Sequence, residues 1–247
     1  MYKKILTLLL LSGLLQASTL TIALAANVSY AMPSLEDAFN KHYPDIHIKT
    51  IISGSGKLTA QIKRGAPYDL FLSANMRYPE ALYKEHLALQ KPKVYAQGAL
   101  ALLSQKPRNF SNISTLLESS KIRKIAMANP KTAPYGKAAL EALTHLHLYT
   151  KLKHKLIFGE SIAQTVTYTM TAADLGFIAK SALFSPHMKR FQEGKNFTEV
   201  PKNLYNPIKQ GIVILSRSHN ITDAQKFYNF MLSDEAKTIL QHYGYNI

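Results

Sequence analysis

The chain contains no cysteine. That excludes disulfides, a thiolate nucleophile, cysteine-ligated metal and a lipid-modified cysteine at the N-terminus. Acidic residues are scarce: 15 Asp and Glu stand against 30 Lys and Arg, and they form no cluster. No HExxH pair is present either, so nothing in the sequence marks a metal site. His145 and His147 alternate, and alternate residues of a helix face apart, so they read as surface residues. Beyond the N-terminal leader no apolar run is long enough to span a membrane. The Lys and Arg residues are scattered, with no long basic block and no aromatic-basic repeat, so the formal net charge of +15 permits an anionic partner without pointing to nucleic acid.

The leader itself is legible. Lys3-Lys4 are followed by the apolar run Ile5 to Leu15 and then by Gln16-Ala17-Ser18. A basic start, a short apolar core and a small residue at the cut make the plan of a secretory signal, here residues 1–17. The reading is of a mature protein that is exported and soluble.

The most informative stretch is Ile51 to Asn75, IISGSGKLTAQIKRGAPYDLFLSAN. Ile51-Ile52 ends a strand, Ser53-Gly54-Ser55-Gly56 is a tight turn, Leu58 and Ile62 share a helix face, and Asp69 to Ser73 is the next strand. Asp69 reads as a turn or cap partner. A turn at a helix start presents N–H groups without intrahelical partners and the positive end of the helix dipole, which can hold an anion without a charged side chain. Ser55 reads as the helix cap, or its hydroxyl turns to a bound oxyanion. Lys57 reads as an exposed residue that steers an anion inward. The turn is not a P-loop, because Ile51 and Leu58 stand where that motif needs Gly and Ser or Thr.

The same plan recurs along the chain. Thr19 to Ala26 is a strand ending at Asn27, and a helix with Met32, Leu35 and Phe39 inward follows, giving a β-α-β unit and a parallel sheet. Pro79 to Leu87 reads as a helix. Val94 to Leu103 reads as one strand crossing into a second lobe. Pro134 suits the first position of a helix after Ile125-Ala126-Met127, and Ser161 caps a helix after Leu156-Ile157-Phe158. Tyr205 to Gln210 brings the chain back, and Thr222 to Tyr243 forms a last helix or pair. Strand-to-helix turns near Asn27, Ser55, Tyr135 and Ser161 thus fall two to a lobe, around a cleft ringed by helix N-termini.

Ala25-Ala26-Asn27, SGSGKLTAQI and GAPYDLFLSAN resemble the periplasmic molybdate-binding proteins of ABC importers, as do the later NPKTAPYGKAALEAL, GESIAQTVTYTMTAADLGFIAKSAL and FYNFMLSDEAKTILQHYGY. The resemblance covers nearly all of the chain after the leader. It implies an α/β, two-lobed periplasmic binding protein fold of type II with the anion cleft between lobes, residues 18–95 and 209–247 forming one lobe and 96–208 the other. It implies oxyanion ligands at Asn27 with Ala26, Ser55, Tyr135 and Ile162, from side chain and backbone N–H at Asn27 and Ser55 and mainly from backbone N–H at Tyr135 and Ile162. It implies molybdate or tungstate as cargo, no cofactor and no catalysis, a membrane permease as partner, no nucleic acid, and a monomer. The best-known branch of that family has Ser where Asn27 stands and a ligand Tyr where Ala179 stands; a second branch has Asn and Tyr at the positions of Asn27 and Tyr135. Receptors for sulfate, phosphate or ferric ion would share the fold, but a ferric site needs clustered Tyr, His and carboxylates. A secreted hydrolase with Ser55 or Ser161 as nucleophile would need a Gly-x-Ser-x-Gly elbow or a Ser-x-x-Lys set, and neither stands at those turns.

Overall fold

A computed structural model describes residues 18–247, so the expected leader, residues 1–17, lies outside the described residues. Strand β1 (Ser18–Ala25) is buried from Ile22 to its end, with Leu20, Ile22 and Leu24 in one apolar cluster and Ala23 in another. Burial on both faces is what a central parallel strand requires, and it explains the nearly continuous apolar run. A 3-10 turn (Val28–Tyr30) and helix α1 (Met32–His42) lead to β2 (Ile46–Ser53), which lies parallel to β1. Pro33 sits in the first turn of α1, where its missing N–H has no intrahelical role. Helix α2 (Ser55–Lys63) then carries the chain to β3 (Leu70–Ser73), parallel to β1 on its other side.

Two sequence expectations shift here. Helix α3 covers Arg77–Lys84, not Pro79 to Leu87. It stops early because His86 adopts a left-handed φ of 57° and the Leu87 N–H closes back on the Leu82 carbonyl at 2.8 Å, a Schellman-type ending. The run Val94 to Leu103 is two strands, β4 (Lys93–Gly98) and β5 (Leu100–Leu103), separated at Ala99 and belonging to different sheets.

The remaining elements are α4 (Ile113–Glu118), β6 (Ile125–Ala128), α5 (Pro134–His145), α6 (Tyr149–Leu152), β7 (Leu156–Gly159), α7 (Ile162–Thr171), β8 (Leu175–Ala179), β9 (Phe197–Glu199), β10 (Ile208–Ile214), α8 (Ile221–Met231) and α9 (Asp234–His242). They build two five-stranded sheets, ordered β2-β1-β3-β10-β4 and β7-β6-β8-β5-β9. The two have one plan. In each, three parallel strands are followed by an antiparallel one, β10 beside β3 and β5 beside β8. Each antiparallel strand directly follows a passage from the opposite sheet. Strands β4 and β10 run side by side at that passage, with a bulge at Gln210/Gly211. Helices α8 and α9 return to the first sheet, where Phe227, Phe230, Met231, Ala236 and Leu240 are buried as their spacing predicts. Phe227 and Phe230 meet the buried Phe39 edge-on at 5.1 and 5.5 Å between ring centroids.

This doubled plan puts the C-terminal ends of β1 and β2 opposite those of β6 and β7. In open parallel sheets that is where ligands bind.

Candidate functional site: a cavity lined by helix starts

Ala26, Asn27, Ser55, Tyr135 and Ile162 all line one cavity, together with Ala25, Gly54, Ala74, Ala133 and Pro134. No lining residue carries a charge. Its capacity for ligand therefore rests on hydrogen-bond donors.

Those donors come from chain starts. At α2 the cap is Gly54, with extended φ −69° and ψ 143°; Ser55 is already the first helical residue and does not cap. The expectation for Ser55 was off by one because β2 runs on through Ser53, which still pairs with Ala25. The Ser55 Oγ instead accepts the Ala74 N–H at 3.0 Å, which leaves its own proton without a protein acceptor. At α5 the cap is Ala133 and Pro134 opens the helix, so Tyr135 is the second helical residue. At α7 Ser161 is the cap, accepting from the Gln164 N–H at 3.2 Å, and Ile162 comes first in the helix. Asn27 opens a 3-10 turn, not an α-helix, so the fourth helix start expected from the sequence is a weaker one. Among the described residues, the backbone N–H groups of Asn27, Ser55, Tyr135 and Ile162 meet no protein acceptor. The Ala26 N–H does, donating to the Ser53 carbonyl at 3.0 Å, so Ala26 contributes wall rather than a free amide.

The two halves of the site touch. The Gly56 N–H and the Tyr78 hydroxyl both donate to the Thr132 carbonyl, at 3.0 and 3.1 Å. A Cβ at Gly56 would lie 2.8 Å from that same carbonyl, and one at Gly54 would lie 2.8 Å from the Glu160 carbonyl. Gly54 has an ordinary φ, so the glycine serves close approach and not an unusual backbone conformation. Lys57 pairs with Glu160 across this seam at 3.4 Å, on the surface and away from the cavity wall.

Behind the cavity lies a polar layer that the sequence reading missed. Asn27 Nδ2 donates to Gln210 Oε1 and to the Tyr245 hydroxyl, both at 2.9 Å, while Asn27 Oδ1 is buried without a partner. The Tyr135 ring is buried and its hydroxyl points to the passage between sheets: a Cβ on Gly98 would lie 2.0 Å from it. That hydroxyl lies beside the Gln210 amide without a well-formed hydrogen bond. Burial, and then the neighbouring hydroxyls of Tyr245, Tyr95 and Tyr205, push the Tyr135 phenol well above its ordinary range, so it stays neutral. Ala179 is buried at the end of β8 and does not line the cavity. A signal for Gln210 existed, since it alternates in phase with the buried Ile208 and Ile212. Nothing local distinguishes Tyr245.

Elsewhere, Asp69 takes the Thr21 N–H within β1 and the Ser218 hydroxyl in the turn after β10, each at 2.7 Å, so it is a turn partner and not a helix cap. His145 and His147 are exposed. Among the described residues no group of three or more His, Cys, Asp or Glu could hold a metal ion, and no helix is long and apolar enough to cross a membrane.

The family profile of bacterial extracellular solute-binding proteins matches residues 20–246. The chain belongs to this family. Within the bacterial extracellular solute-binding proteins, it is 35% identical over 242 residues to the molybdate-binding protein ModA of Azotobacter vinelandii, covering 96% of this chain and 94% of that one. It is also 35% identical over 193 residues to ModA of Rhodobacter capsulatus, covering 77% and 74% of the two chains. The solved structure of the Azotobacter vinelandii periplasmic molybdate-binding protein matches with a TM-score of 0.86 at 33% identity, over 92% of this chain and 99% of that one. The two-lobed α/β fold of such solute-binding proteins is the fold described above.

Proposed function

We propose that this protein captures molybdate or tungstate in the cavity between its lobes and delivers it to the membrane permease of an ABC importer. The observation that carries the reading is a small cavity without charged side chains, lined by helix starts from both halves of the molecule. Four backbone N–H groups and the Ser55 hydroxyl are the donors, and Asn27, Ser55, Tyr135 and Ile162 are the ligand residues in this reading. A tetrahedral dianion offers only acceptors, and partial charges at several helix ends share its neutralisation. Donors facing a charged oxygen form strong bonds.

Selectivity follows from the same chemistry. Phosphate that retains a proton brings a donor into a ring of donors and leaves it unpaired. Sulfate has the right charge but is smaller, so it cannot reach every donor once the halves have closed. Molybdate and tungstate are nearly equal in size and are treated alike by this site.

In this reading residues 18–98 and 208–247 form one lobe and 99–207 the other, a few residues from the boundaries expected at 95/96 and 208/209 because β4 and β10 belong whole to the first sheet. Residues 1–17 are a cleaved secretory signal, and the mature protein works in the periplasm as a monomer without catalytic activity. The test is a thermal-shift panel of molybdate, tungstate, sulfate, phosphate and Fe(III). The first two should raise the melting temperature by several degrees at micromolar concentration, since a ligand stabilises by RT ln(1 + [L]/Kd). A sulfate shift equal to that of molybdate would replace the reading with a general oxyanion receptor.

A further inference from the structure

We propose that Tyr245, together with Gln210, is a positioning residue of the anion site, fixing Asn27 so that its backbone N–H and not its side chain faces the anion. The inference rests on the reading of the cavity as an oxyanion site.

Asn27 is held from three directions. Its Nδ2 donates to Gln210 Oε1 on β10 and to the Tyr245 hydroxyl, both at 2.9 Å. Its carbonyl accepts from the Tyr245 hydroxyl at 2.9 Å and from the Ser181 hydroxyl at 2.9 Å. Ser181 lies in the 3-10 segment after β8, so this carbonyl is gripped from both sheets. The directions of these bonds are determined. Gln210 Nε2 donates to the Ile208 carbonyl at 3.0 Å, so Oε1 is the atom left for Asn27. Asn27 must therefore offer Nδ2 there. The single Tyr245 proton goes to the Asn27 carbonyl, so the phenol oxygen can only accept from Nδ2. Both Nδ2 protons are thereby engaged inside the protein.

What remains for the anion is the Asn27 main-chain N–H. On the other side of that peptide, the Ala26 carbonyl accepts the Ser29 hydroxyl at 2.8 Å. A trans peptide directs its N–H opposite to its carbonyl, so Ser29 sets one end of the unit while Tyr245 and Ser181 set the residue that follows. A helix start is not available at this turn to aim the N–H, and the hydroxyl grip replaces it.

Tyr245 can do this only because of how the chain ends. Gly244, at φ 75°, turns the tail back from α9; a Cβ there would lie 2.6 Å from the Phe184 ring. Asn246 then exchanges both backbone hydrogen bonds with Gln97 on the passage strand β4, at 2.7 and 2.8 Å. Its side chain accepts from Lys202 Nζ at 3.1 Å. The tail is thus pinned across the passage between sheets, with Tyr245 buried against the back of the site. Replacing the phenol by Phe would leave one Nδ2 proton without an acceptor and the Asn27 carbonyl with Ser181 alone.

The test compares Tyr245→Phe with Tyr95→Phe. Tyr95 is a buried hydroxyl with no hydrogen-bond partner, so it makes no hydrogen bond to Asn27. Molybdate affinity is measured by calorimetry, and the Asn27 amide proton is followed by NMR in the tungstate-bound protein. Tyr245→Phe should weaken molybdate about tenfold and move the Asn27 amide proton upfield, while Tyr95→Phe changes neither. Ser181→Ala, a milder loss at the same carbonyl, should shift both readouts in the same direction by less, and serves where Tyr245→Phe does not fold. Affinity and amide shift unchanged in Tyr245→Phe, or changed equally in Tyr95→Phe, would overturn the proposal while leaving the anion site standing. Wild-type protein that binds none of the oxyanions would overturn both.

Discussion

Ser55→Ala separates two roles of one hydroxyl. The Oγ accepts the buried Ala74 N–H at 3.0 Å, and in the proposed site it keeps its proton for the anion. Removing it takes a donor from a charged oxygen, worth about 1.5–3 kcal/mol, or roughly ten- to over a hundredfold in affinity. It also leaves the Ala74 N–H without its acceptor, which costs about 1–3 kcal/mol in the ligand-free protein. For a chain of this size each kcal/mol lowers the melting temperature by about 2–4 °C. Calorimetry of molybdate binding reads the first loss and thermal unfolding without ligand reads the second. Ser53→Ala is the control: Ser53 is the last residue of β2, does not line the cavity, and meets Ala26 only through its carbonyl. It should leave both readouts near wild type. An affinity within threefold of wild type in Ser55→Ala, alongside a lowered melting temperature, would mean that the hydroxyl only anchors Ala74 and that the donor argument is wrong.

Other perturbations follow from the same geometry. Gly56→Ala places a Cβ 2.8 Å from the Thr132 carbonyl, so it should prop the two halves apart and weaken molybdate at least tenfold with little change in the stability of the ligand-free protein; small-angle scattering that shows normal closure would refute this. Tyr135→Phe removes a buried hydroxyl that has no partner, so affinity should stay within about threefold and stability should hold or rise; a tenfold loss would make the phenol a ligand. Burial holds the phenols of Tyr95, Tyr135 and Tyr245 well above their ordinary value of 10.0 and pushes Tyr30 up to about 12. The unfolded chain loses these protons first, so stability is whole below about pH 10 and falls above it, by up to about 1.4 kcal/mol per pH unit for each phenol. Urea midpoints from pH 8 to 11 check this, and Tyr95→Phe should flatten the slope.

What the sequence disclosed was what is local. Periodicity and punctuation ended four strands at Ala26, Ile52, Met127 and Phe158, each one residue from the ends at Ala25, Ser53, Ala128 and Gly159 in the structure, and gave the helices that follow, because each depends on neighbours a few residues away. The cap at Ser161 was legible for that reason, as a serine three residues before an engaged N–H. Ser55 was misplaced by one residue because the length of β2 is set by its pairing with β1 and not by its own composition. The direction of the Tyr135 phenol was open because a helix start fixes the N–H but not χ1, and the space beneath Gly98 that receives it is created by a strand 37 positions earlier in number but adjacent in space. Gln210 and Tyr245 were missed outright. Their hydrogen bonds to Asn27 span 183 and 218 residues, and no window of sequence contains both ends.

The glycines of the Ser53-Gly54-Ser55-Gly56 turn show how far a correct local reading can be from the reason for it. As sequence they mark a tight turn. In the structure, Gly54 has a φ that any residue could adopt, and what it and Gly56 lack is a Cβ that would collide with carbonyls of the opposite half, Glu160 and Thr132. In the proposed site the helix starts from the two sheets serve one small ion, and the two halves can approach this closely because these two positions carry no side chain. A cavity that uses neutral donors needs this closeness more than a charged site does, since a partial charge at a helix end acts only over the first turn. The surplus of lysine and arginine can then act at a distance, drawing anions toward the cleft, while the cavity itself holds no cation.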